Sequence, residues 1–205
     1  MPENISATEY VAPPKRTGPV VPHRLNVPKT WRFATCAMAL AMPSGAAQSQ
    51  SPWHAARDGV EIKATALTRS ALLAFYQARG FSAQAIAPYA DACAFSFEVR
   101  NTGRGPLRLR LADWRAGERA GGARFMLPDE WDAEWVRRGV AEPARIAFRW
   151  AQFQAELEFA PGDWIMGMAA LERRPPGRFR MSFRHRNGKE SREVVLDNVT
   201  CAPLD

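Results

Sequence analysis

Met166 and Met168 stand two apart, Met181 follows on the next apolar stretch, and His185 lies four residues beyond it. At strand spacing Met166 and Met168 share a face, so three thioethers and an imidazole could converge, and soft thioether donors suit Cu(I). The simpler expectation is that methionines set among Trp164, Ile165 and Leu171 fill a core. The leading expectation is therefore no cofactor, with copper as the alternative. His185 and His54 are the histidines beyond residue 47, which leaves few positions for histidine-based catalysis. Nucleophile-elbow, zincin, dithiol and phosphate-loop motifs do not occur. The acids Asp129, Glu130, Asp132 and Glu134 could include a carboxylate pair for glycoside chemistry, but helix-start capping explains them more simply. The chain reads as a non-enzyme.

Arg108 and Arg110 on one alternating stretch, with Arg178, Arg180 and Arg184 on another, could form a basic binding face. Trp131 and Trp135 lie on one face of a helix and could stack on sugar rings or anchor a protein, although burial is the usual fate of such a pair. Arginine outnumbers lysine 24 to 4, a bias that GC-rich coding produces as readily as a polyanion partner does. Charge thus argues only weakly for nucleic acid, and none is expected as a partner.

Lys29 and Arg32 precede ten mostly apolar residues, Phe33 to Met42, and Pro43-Ser44-Gly45 then leads to Ala46 and Ala47. This is the layout of a cleavable secretory leader, so residues 1–47 are expected to be an N-terminal extension plus signal peptide. Cleavage would leave 23 basic against 19 acidic residues and two cysteines, Cys93 and Cys201, which are expected to pair as a disulfide in an exported domain. No apolar run approaches the roughly 18 residues of a membrane span, so the mature form is expected to lack one.

Residues 48–60 lack periodicity and are expected to be a flexible lead-in to a single domain over 61–205. Thr68 can cap a helix bearing Leu72, Phe75 and Tyr76, with Gly80 ending it and Phe81 packing back on Tyr76. Pro128-Asp129-Glu130 opens a second helix closed by Gly139. Elsewhere the period is two: Cys93 to Val99, Leu107 to Leu111, around Ile146, Phe148 and Trp150, Phe153 to Phe159, Trp164 to Leu171, Phe179 to Phe183, and Val194 to Cys201. A bulge near Ala151-Gln152 would reconcile the parity of the third and fourth runs. Asn187-Gly188 is a hairpin signal; as a two-residue turn it pairs Arg186 with Lys189, His185 with Glu190, Met181 with Val194 and Arg178 with Asp197.

The expected fold is a mainly β, single-domain antiparallel β-sandwich with one or two short helices. The expected function is that of a non-catalytic exported accessory or binding protein, periplasmic or secreted, that recognises another extracytoplasmic protein. A periplasmic copper-handling protein and a glycan-binding or glycan-active domain are the alternatives.

Overall fold

Alternation of apolar and polar residues along Val60–Ala66 buries Val60, Ile62, Ala64 and Ala66, and along Ala94–Asn101 it buries Phe95, Phe97 and Val99. These strands, β2 and β3, pair antiparallel with each other; β1 (Trp53–Arg57) flanks β2, and β8 (Trp164–Ala170) flanks β3. The computed structural model describes residues 52–117, 122–188 and 190–204. The expected leader, residues 1–47, lies outside these residues.

The second antiparallel sheet is organised by β9 (Phe179–Asn187). On one side β9 pairs with β10 (Glu190–Val199), and on the other with β4 (Leu107–Arg110) and β5 (Arg115–Ala116), which a 3-10 turn at Leu111–Asp113 separates. Outside these lie β6 (Ala123–Arg124) and β7 (Glu156–Phe159). The inner faces of both sheets meet around Phe97, whose ring contacts those of Trp114, Phe125, Phe153 and Phe183 at centroid distances of 5.3, 5.5, 6.2 and 5.7 Å. Each such ring contributes roughly 1.5–3 kcal/mol by leaving water. A disulfide joins Cys93 to Cys201 with their Cα atoms 5.2 Å apart, linking the start of β3 to the segment after β10. Both the sandwich and the bridge match the expectation.

Four helices form a second apolar cluster against Ala94 and Ala170, on the outer side of the first sheet. In α1 (Arg69–Gln77) the Thr68 hydroxyl accepts from Ala71 N at 3.2 Å, and Phe81 packs edge-on against Tyr76. In α3 (Pro128–Arg137) the Glu130 carboxylate accepts from Leu127 N and from both terminal nitrogens of Arg124, which hold it below the ordinary carboxylate range. Between them in sequence, α2 (Ala83–Ala90) is capped by Ser82. The last, α4 (Glu142–Ala151), buries Ala144 and Phe148.

A directional chain of hydrogen bonds fastens these helices to β8. Tyr89 donates to Gln152 Oε1 at 3.0 Å, Gln152 Nε2 donates to Tyr76 Oη at 2.7 Å, and Tyr76 donates to Met168 Sδ at 3.9 Å. Burial pushes both phenols well above the ordinary tyrosine range, so they remain protonated donors.

Besides the unexpected helix α2, four details differ from expectation. The stretch Ile146-Phe148-Trp150 is part of α4, not a strand: Pro143 suits a helix start, and burial follows the four-residue step from Ala144 to Phe148. The parity change near Ala151-Gln152 marks the end of that helix, after which Gln152 bridges Met168 in parallel; it is not a bulge. The expected lead-in contains β1, paired along its length with β2. Finally, Asn187 pairs with Glu190, so the last pair before the β9–β10 connection lies one residue later than expected. Gly188, at φ +63°, supplies the left-handed conformation that the first turn position requires. From Glu190 to Leu196 the register consequently moves by two, which preserves the side-chain faces but sets His185 opposite Arg192 instead of Glu190; a bulge then places Asp197 and Asn198 between the pairs Leu196–Met181 and Val199–Phe179.

Candidate functional site: the arginine face of the second sheet

Strand parity turns Phe179, Met181, Phe183 and His185 inward, and Arg180, Arg184 and Arg186 outward. On β4 it turns Leu107 and Leu109 inward, and Arg108 and Arg110 outward. Pairing aligns Ser191, Arg186, Arg108 and Glu158 in one row across four strands. Two guanidinium groups directly opposite each other are unfavourable unless offset. Arg108 is offset by Glu158 at 2.8 Å, and Arg110 by Glu156 at 3.1 Å. Arg186 has no carboxylate in ion-pair range among the described residues; nor does Arg184, although Glu193 is its cross-strand neighbour. These residues line a shallow concavity on the exposed face of the sheet. A guanidinium presents a planar donor fork matched to carboxylate, so this face is chemically suited to receive acidic groups.

The remaining arginines of the expected face lie further along. Arg180 pairs with Asp197 at 3.1 Å, at the bulge between Leu196 and Val199, whereas the expected partner of Asp197 is Arg178. Arg178 precedes β9 and lines a separate hollow with Pro175 and Pro176. Arg186 was not singled out from sequence, although the alternation through Arg180 and Arg184 reaches it.

The other sequence candidates are dispersed. Trp131 and Trp135 stack on each other at 5.3 Å but are buried in the helical cluster; among the described residues the exposed tryptophans are Trp150 and Trp164. Met181 is buried between the sheets, whereas Met166 and Met168 project from the opposite, outer face of the first sheet. The three thioethers do not come together. Among the described residues no group of three His, Cys, Asp or Glu side chains is placed to hold a metal ion.

His185 is 2% exposed, and neither ring nitrogen has a hydrogen-bond partner among the described residues. Burial pushes its pKa below the ordinary 6.5; the Phe183 backbone and Asp58 oppose this, and Arg192 acts with it. Between the lowered folded-state pKa and 6.5 the unfolded chain binds a proton that the folded chain refuses. Stability is therefore full above pH 6.5 and falls as the pH drops toward the folded-state value, by at most about 1.4 kcal/mol per pH unit. Urea midpoints of the wild type should fall over this window more steeply than those of His185→Leu. Parallel profiles would remove His185 as the cause.

Comparison with protein-family models, curated proteins and solved structures finds no match to this chain. Among the described residues no helix is long and apolar enough to cross a membrane.

Proposed function

We propose that this chain is a non-catalytic exported binding protein that recognises another protein through an acidic segment received on the arginine face. The observation that carries this reading is the pair Arg184 and Arg186, two exposed guanidinium groups without carboxylate partners among the described residues, beside the salt-bridged Arg108 and Arg110. Exposed ion pairs such as Arg108–Glu158 are worth about 0–1 kcal/mol, so an incoming carboxylate can exchange into them at little cost. The disulfide supports an oxidising compartment, periplasmic or secreted.

A synthetic oligoglutamate peptide, titrated into the full chain at low ionic strength, tests the reading. Binding is expected to weaken steeply with added salt, and by about tenfold in the double variant Arg184→Ser, Arg186→Ser, because screening acts on exposed charges. Equal affinity of wild type and variant, or no binding at low salt, would overturn it.

A further inference from the structure

The main-chain polarity of β8 is fixed by its pairing with β3. Leu171 N donates to Cys93 O at 3.0 Å, and Asn101 N donates to Asp163 O at 2.9 Å, at the two ends of one continuous register. In an antiparallel ladder the bonded pairs alternate, so odd-numbered β8 residues bond β3 and even-numbered ones point their N–H and C=O groups to the opposite edge. On that edge Met168 O accepts from Phe153 N at 2.7 Å, and Ala170 O from Met126 N at 3.0 Å. The equivalent groups of Trp164 and Met166 have no partner among the described residues. Half of the edge is therefore covered and half is open.

The open half is also unguarded. From Trp164 to Leu171 the strand carries no charge, whereas proteins usually protect a free edge with charge, proline or a bulge. Trp164 is 53% exposed and Met166 57% exposed, both on the outer face. Two other outer strands are better guarded: β7 carries Glu156 and Glu158 in ion pairs, and the Trp53 indole of β1 donates to Asn198 O in β10.

We propose that two copies of this chain associate by antiparallel pairing of their β8 strands about a two-fold axis at Ile165. That register sets Trp164 of each copy opposite Met166 of the other, with both residues' edge groups facing, so the two pairs close four main-chain hydrogen bonds. Opposite residues share a face, which brings each thioether against an indole, a favourable contact. The open window ends where Phe153 covers Met168 and where the chain turns at Pro161–Asp163, so it takes a strand of about three residues. β8 supplies such a segment, complementary to itself.

Sedimentation velocity of the full chain from low micromolar to millimolar concentration tests this, together with residue-resolved hydrogen exchange. The wild type is expected to pass from monomer to dimer. Over the same range the amides of Trp164 and Met166 should become about tenfold slower to exchange, while those of Ile165 and Gly167 stay protected throughout. Met166→Lys, which alters a side chain directed away from the core, should remain monomeric with an unchanged melting temperature. A wild type that is monomeric at every concentration overturns the proposal, as does a dimer that leaves Trp164 and Met166 amides exchanging freely or that survives Met166→Lys.

Discussion

Replacing Cys93 and Cys201 together with serine should lower the unfolding free energy by about 4–5 kcal/mol and the melting temperature by about 10 °C or more. The magnitude follows from loop length: the bridge spans 108 positions, so breaking it frees a large unfolded loop. It also joins different layers, because Cys93 leads into the first sheet and Cys201 follows the last strand of the second. Changing both residues avoids freeing one thiol of the bridge, which could pair between chains or with Cys36. Calorimetry of the double variant beside the oxidised wild type is the check. Coincident melting curves would mean that packing around Phe97 holds the sheets together without the link.

The second large effect is expected at Gly167. It faces inward on β8 opposite Phe97, where a Cβ would stand 2.6 Å from both Cα and N of Phe153 and 2.9 Å from the Gln152 carbonyl carbon. All three are main-chain atoms, so no flexible side chain can yield. Gly167→Ala must displace the segment that ends α4 and bridges Met168, straining the Tyr89–Gln152–Tyr76 chain with it. The expected loss is about 3 kcal/mol or more, at the upper end for overpacking. Gly162→Ala isolates the other reason for a glycine: nothing lies within 4 Å of its Cβ position, but its φ is +88°, so a loss of only about 1 kcal/mol is expected. Urea midpoints of the two variants should differ clearly; equal midpoints would refute the steric argument.

The sequence was most legible where local chemistry and burial agree. Thr68 and Gly80 bound α1 as their types predict, Pro128 opens α3, and inward parity on β3, β4 and β9 follows simple alternation. It misled where two periods overlap. Ile146, Phe148 and Trp150 alternate like a strand, but α4 buries only Phe148 of the three, and Ile146 and Trp150 face solvent. Pro88 within α2 obscured a short, alanine-rich helix whose remaining cue was Ser82. Of the candidate site, the outward arginines followed from parity, but their partners did not, because cross-strand neighbours depend on a turn position that Asn-Gly signalled one residue early. The thioether cluster failed for a different reason. Period two places Met166 and Met168 on one face of β8 without saying which face meets Met181; that face is the outer one, whereas Met181 on β9 packs between the sheets.

The position of the bridge also divides the molecule mechanically. Tension applied between Pro52 and Leu204 passes from Cys93 straight to Cys201, so the intervening polypeptide, with the whole second sheet and β8, bears no load along its backbone. Only β1, β2, α1 and α2 lie on the stressed path. A pulled molecule can peel these away and lengthen by at most about 140 Å before covalent bonds take the strain. Everything from β3 onward then forms a closed parcel, which a translocating or degrading motor would have to reduce before it could be threaded.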